Sequence, residues 1–178
     1  MSLSRSPPRP LLAVILITAL ALIFPLRASA QLSGTLSGPR FVETAAISGL
    51  FEIEASKLAL DRSTDPQIRA FAQMMVVDHA KIAIALKRAA SDANGDITLP
   101  TAVDAEHEAL LKKLGTATGR DFDALYVQMQ TTAHQQAVGL FGAFAKDGDQ
   151  TALKAFAADT LPVLQGHLEQ VLRIQVKT

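Results

Sequence analysis

The sequence predicts an all-α protein, a four-helix bundle made of two helical hairpins joined by a long crossover with a short extra helix. Three observations predict it. From Phe41 onward, apolar residues return every three or four positions, the period of a helix that buries one face. No stretch alternates apolar and polar residues as a half-buried strand would, and no repeat of solenoid length is visible. Two compact breaks, "STDPQ" at 63–67 and "KDGDQ" at 146–150, each separate two long periodic segments. Between the two pairs lies a connector long enough to run the length of a bundle.

The first element is set aside from the fold. "MSLSRSPPRP" carries Arg5 and Arg9 and no acid, "LLAVILITALALIFPL" is an apolar run, and Ala28 and Ala30 form the small-x-small pattern of a cleavage site. The run is shorter than the roughly 20 residues that span a bilayer. Residues 1–30 are therefore expected to be a cleaved signal peptide, which places the mature chain in the periplasm with no stable membrane insertion. Residues 31–40, "QLSGTLSGPR", read as a flexible leader, and 41–176 as the bundle domain.

The first helix is expected at 41–62, with Val42, Ala46, Gly49, Ile53 and Leu60 on its inner face. The second runs over 66–93, opened by Asp65 as cap and Pro66 at the first helical position. Its apolar line passes through Phe71, Met75, His79, Ile82 and Leu86. A short third helix is expected at 101–114, after Pro100. The fourth begins near Arg120 and turns Phe122, Leu125, Met129, Ala133, Leu140 and Phe144 inward. The fifth spans 150–175, with Asp149 as its cap and a kink expected at Pro162, whose ring removes a backbone bond. Two hairpins and one long crossover make the ferritin-like arrangement of the bundle, with up-down-up-down connectivity as the alternative.

Composition narrows the function. Lysines and arginines number 17 against 17 acids, and the signal removes Arg5, Arg9 and Arg27 but no acid. A mildly acidic mature chain without a basic cluster argues against nucleic acid as a partner. The chain has no cysteine, so disulfides, thiolate catalysis and thiolate metal sites are all excluded.

Three of the four histidines sit near the middle of three different long helices. His79 is on the apolar line of the second helix. His167 lies on the line Thr160, Leu164, Val171 and Ile174 of the last. His134 stands at the edge of the fourth helix's apolar face, on the row Tyr126, Gln130, Ala137 and Phe141. Glu52 and Glu54 offer carboxylates on the first helix. At 1.5 Å of rise per residue, all these groups fall within about two turns of mid-bundle. Imidazoles and a carboxylate from four helices are the donors from which bundle-core metal sites are made, and they suit zinc, iron or copper. Asp78 points about 100° away from His79 on its helix; it either orients another helix's histidine or faces solvent. Tyr126 and Gln130 are candidates for supporting positions. His107, between Glu106 and Glu108, is expected on a solvated face, and Glu54 also matches a surface pair with Lys57.

Diiron bundles carry Glu-x-x-His on two helices, whereas Val76, Thr131 and Leu164 stand three residues before the mid-helix histidines. An oxygen-activating diiron enzyme is thus disfavoured. Metal handling or envelope stress protection is the expected role. The alternative is a non-catalytic structural or interaction module whose core histidines are hydrogen-bonded.

Five landmarks, "FVETAAISGLFEIEASKLAL", "DPQIRAFAQMMVVDHAK", Leu99-Pro100, "GRDFDALYVQMQTTAH" and "LKAFAADTLPVLQGHLEQV", together resemble the exported bacterial family called domain of unknown function 4142. The resemblance covers the chain from Phe41 to its end. It implies an exported ferritin-like bundle with no settled activity, and its motif residues fall on Glu52, Asp78, His79, Phe122, Tyr126, His134 and His167. Members are often labelled outer membrane proteins, but the sequence lacks the alternating strands of a barrel; a soluble periplasmic protein is expected.

Overall fold

The computed structural model describes residues 36–93 and 96–176. The expected signal peptide and the first half of the leader lie outside the described residues. Five helices follow in order: α1 Gly38–Arg62, α2 Pro66–Asp92, α3 Ala105–Thr116, α4 Gly119–Asp147 and α5 Thr151–Arg173. Among the described residues there is no strand, and no helix is long and apolar enough to cross a membrane.

Local chemistry fixes the helix ends. The Asp65 carboxylate accepts from the amides of Gln67 (2.8 Å) and Ile68 (3.4 Å) to open α2, with Pro66 at a position that has no amide bond to lose. Asp104 opens α3 by accepting from the His107 amide at 2.9 Å. That helix therefore begins at Ala105, later than the Pro100 signal suggested. Gly119 opens α4 at φ 53°, a left-handed conformation that favours glycine.

Two expectations are corrected at the other end of the bundle. The leader does not extend to residue 40, because α1 already starts at Gly38 with Pro39 in its first turn. Asp149 does not cap α5; its carboxylate accepts from the Gly38 amide at 2.9 Å and so caps α1 across the bundle. Gly148 is needed in the same turn, since a Cβ there would lie 2.6 Å from the Phe144 carbonyl oxygen. Helix α5 runs through Pro162 without interruption.

Side-chain pairs decide between the two connectivities. Phe41 stacks on Phe144, Glu52 meets His134, and Ser56 bonds Tyr126. As numbers rise on α1 they fall on α4, so these neighbours are antiparallel. Since each hairpin is antiparallel too, the chain must return along the bundle between α2 and α4, which is the ferritin-like crossover. Helix α1 packs on α2 and α4, and α2 on α5. The short α3 lies against α1 and α4, tied at its end by Arg62 donating to the Gly115 carbonyl.

The core is in two parts. One apolar cluster gathers Phe41, Leu86, Phe141, Phe144, Leu153 and Phe156; the other gathers Phe51, Ile68, Phe71, Met75, Leu114 and Phe122. A layer of buried polar side chains lies between them.

Candidate metal centre

The layer is built by the same periodicity that builds the core. His79 and His167 each take one place in an apolar line, so burying Phe71, Met75 and Leu86, or Leu164 and Val171, buries the imidazole as well. On α1 and α4 the pattern is a polar ladder at four-residue spacing, one helical turn per step. Ser48, Glu52 and Ser56 form one ladder and Tyr126, Gln130 and His134 the other, with Ser56 Oγ 2.9 Å from the Tyr126 hydroxyl and Glu52 beside His134. Glu52, Ser56, His79, Gln130, His134 and His167 are all buried.

One ring nitrogen from each of His79, His134 and His167 lies within 4.8 Å of the other two. The ring centroids stand 5.4–5.7 Å apart. Glu52 reaches both sides, with one oxygen 3.3 Å from His79 Nδ1 and the other 3.3 Å from His134 Nδ1.

Hydrogen bonds choose which nitrogens keep a lone pair. His134 Nδ1 is 2.9 Å from the Gln130 carbonyl oxygen, which only accepts, so Nδ1 carries the proton and Nε2 the lone pair. His167 Nε2 is 3.3 Å from the Asp78 carboxylate and donates to it, leaving the lone pair on Nδ1. Both lone-pair nitrogens are buried without a hydrogen-bond partner, as is His79 Nε2, while His79 Nδ1 has only the 3.3 Å approach of the Glu52 carboxyl. Fixing a histidine's tautomer through its outer nitrogen is how metal-ligating imidazoles are oriented.

Burial sets the charge of the layer. It lowers the His79 imidazole to about 3, with His134 and His167 adding to the effect. It lowers His134 to about 4 against the raising influence of the Gln130 carbonyl. His167 is also lowered by burial, opposed by Asp78. All three are thus neutral near pH 7, the form that binds metal. Burial lifts the Glu52 carboxyl to about 8, and the Ser48 hydroxyl opposes it. Asp78 is lowered, first by its bond to Lys81, so its acceptor role toward His167 holds at neutral pH.

The structure brings together His79, His134, His167 and Glu52. It does not bring Glu54, whose side chain is half exposed and held 2.8 Å from Lys57; one face of a helix admits Glu52 or Glu54, two residues apart, but not both. Asp78 resolves toward orienting another helix's histidine. Tyr126 lies deep in the core, and its row with Gln130 and His134 is central rather than marginal. The Gln130 carbonyl orients His134, while its side-chain amide is buried without a partner. His107 packs its ring edge on Phe51 and bonds Asp104 at 2.7 Å, less solvated than expected. Ser48 and Ser56 were missed. Their signal was available, since each stands four residues from Glu52 on a face that otherwise carries Ala45, Ala55 and Ala59.

Fold and layer together define a ferritin-like helical bundle with a buried three-histidine, one-carboxyl centre. Comparison then places the chain more closely: the model of the family described as Domain of unknown function (DUF4142) matches residues 24–174, so the chain belongs to that family. No curated protein matches it. Among solved structures, one described as "CopM in the Cu(II)-bound form" shares the fold, with a TM-score of 0.64 and 16% identity over 77% of this chain and 94% of that one.

Proposed function

We propose that this bundle binds one transition-metal ion in its polar layer through His79, His134 and His167, with Glu52 as oxygen donor and counter-charge, and that its role is metal handling in the periplasm. The single observation that carries the reading is the set of three neutral, buried imidazoles whose inward nitrogens lack partners and lie within 4.8 Å of one another. A partnerless buried polar atom costs about 1–3 kcal/mol, and three facing each other are hard to account for as packing alone. Hydrogen-bonded core histidines, the mark of a purely structural module, would have their inward nitrogens satisfied.

The donors suit zinc, copper or iron and lack the softness of a thiolate site. Copper(II) is the first ion to try, since a protein of this fold has been solved with it bound. Ionisation of Glu52 on binding would add the negative charge that three neutral imidazoles lack.

The test is elemental analysis of untagged residues 31–178, purified from periplasm without chelator, beside the His79→Ala/His134→Ala/His167→Ala variant. Near-stoichiometric metal in the wild type and none in the still-folded variant is expected. No metal in either, after reconstitution with zinc, copper and iron, would make the layer a packing feature and refute the reading.

A further inference from the structure

A chamber of about 90 Å³ lies against one side of the polar layer, among residues of the phenylalanine-rich cluster. Side-chain size explains why it is on that side. On the opposite side Phe71, Met75, Tyr126 and Met129 fill the core, and the Phe71 ring stands edge-on to His134 at 6.4 Å. On the chamber side, three residues one turn from the layer are small, beside the larger Ile82 and Leu164. Ala83 follows His79, Ala137 follows His134, and Gly49 precedes Glu52. The rest of the wall is largely apolar, with Leu86, Phe141 and Leu164 from the cluster and Leu99 and Pro100 from the crossover. Its polar groups, Glu52, His79 and Ser48, belong to the layer or adjoin it.

We infer that this chamber receives a small outside ligand of the bound metal: a neutral or monoanionic molecule of the size of dioxygen, nitric oxide or azide. The inference rests on the metal reading above and deepens it. Size limits the ligand, because a cavity near 150 Å³ is what benzene occupies, so this chamber takes about two to four heavy atoms. The apolar wall favours molecules that shed little hydration on entry. The three histidines and Glu52 make four protein donors, and an ion of this kind expands to five ligands, which leaves one position for an outside molecule. His79 and Glu52 belong both to the chamber wall and to the centre, so the chamber adjoins two of the groups that would hold the ion.

Gly49 supplies the test. A Cβ at this position would meet only His79 Nδ1, at 3.8 Å, an ordinary contact, so alanine is tolerated while leucine fills the chamber. The wild type, Gly49→Ala and Gly49→Leu are loaded with copper(II), and metal content and circular dichroism are recorded for each. Sodium azide is then titrated against the azide-to-copper charge-transfer absorption. Saturable binding is expected in the wild type, a few-fold weaker in Gly49→Ala and at least tenfold weaker in Gly49→Leu, with metal content unchanged. Equal azide affinity in variants that keep their copper would overturn the chamber and leave the metal reading standing. A wild type that takes up no copper would overturn both. Should Gly49→Leu lose its fold or its copper, Gly49→Ala decides: azide affinity equal to wild type refutes the chamber.

Discussion

Four phenylalanines on α1, α4 and α5 and three histidines on α2, α4 and α5 are packed in opposite ways. At one end Phe41 stacks on Phe144 with centroids 4.0 Å apart, while Phe141 and Phe156 each meet Phe41 in a T-shaped contact and each other at a tilt. Nothing in that cluster needs a partner beyond another apolar surface. Farther along the bundle, the inward positions carry imidazoles, a carboxyl and an amide, several with atoms that no protein group satisfies. Such a layer lowers the stability of the metal-free fold. The contrast separates the region that holds the molecule together from the one that gives up stability to keep polar groups buried.

The largest expected effect lies in the aromatic cluster. Phe144→Ala removes a fully buried ring and should cost about 3–5 kcal/mol, with or without metal. Urea unfolding checks this, and metal content per folded molecule should stay as in the wild type. A cost that appears only in the metal-loaded protein would erase the contrast between the two regions.

The layer should respond differently. Replacing all three histidines by leucine removes the partnerless nitrogens at nearly constant volume but also the bonds to the Gln130 carbonyl and Asp78, so the stability of the metal-free protein should change by no more than about 2 kcal/mol. The gain in stability expected of the wild type with metal, about 2.7 kcal/mol at a hundredfold excess over Kd, should be absent from the variant. Thermal unfolding with chelator and with copper or zinc separates the two effects. A large loss in the metal-free variant would mean that the histidines serve the core.

Metal-free stability should also follow pH as the layer dictates. His79 and His134 fall from 6.5 to about 3 and 4, so the unfolded chain binds more protons below pH 6.5; their contribution is present above 6.5 and lost as pH falls. Glu52 rises from 4.5 to about 8, so the folded chain holds the extra proton; its contribution is present below 4.5 and lost as pH rises toward 8. Two histidines outweigh one carboxyl below pH 6.5, and only the carboxyl acts above it. The layer therefore contributes most near pH 6.5. In Glu52→Gln the decline from pH 6.5 to 8, up to about 2 kcal/mol, should disappear. Denaturant melts across pH in chelator would show it; an unchanged alkaline slope would sink the assignment to Glu52.

The helices and the histidines were legible in the sequence for one reason. His79 and His167 stand in lines whose other members are mostly apolar, and periodicity locates whatever occupies such a line. The inner face of α1 was harder to read. Sequence favoured Val42, Ala46, Gly49, Ile53 and Leu60, whereas apart from Val42 the deepest positions are Phe41, Phe51, Glu52, Ala55, Ser56 and Ala59. Two of these are polar, and a rule that seeks apolar residues steps around the polar ladder to a neighbouring face. Asp149 was misplaced for a related reason. Adjacency to α5 suggested its cap, while the amide it serves, on Gly38, is distant in sequence and near only in the folded bundle.

The smallest expected effect marks the edge of the site. Glu54 and Glu52 are two residues apart on one helix, and the 200° between them puts one in the layer and the other in solvent. Glu54→Gln breaks only an exposed pair with Lys57, worth about 0.5 kcal/mol or less. It should leave metal stoichiometry and affinity unchanged, whereas Glu52→Gln should weaken metal binding by removing the layer's oxygen anion. Paired titrations of the two variants with copper(II), read by competition with a chelator of known affinity, make that comparison. Equal weakening in both would mean that long-range charge rather than a donor at the centre holds the ion, and Glu52 would then lose its place among the ligands.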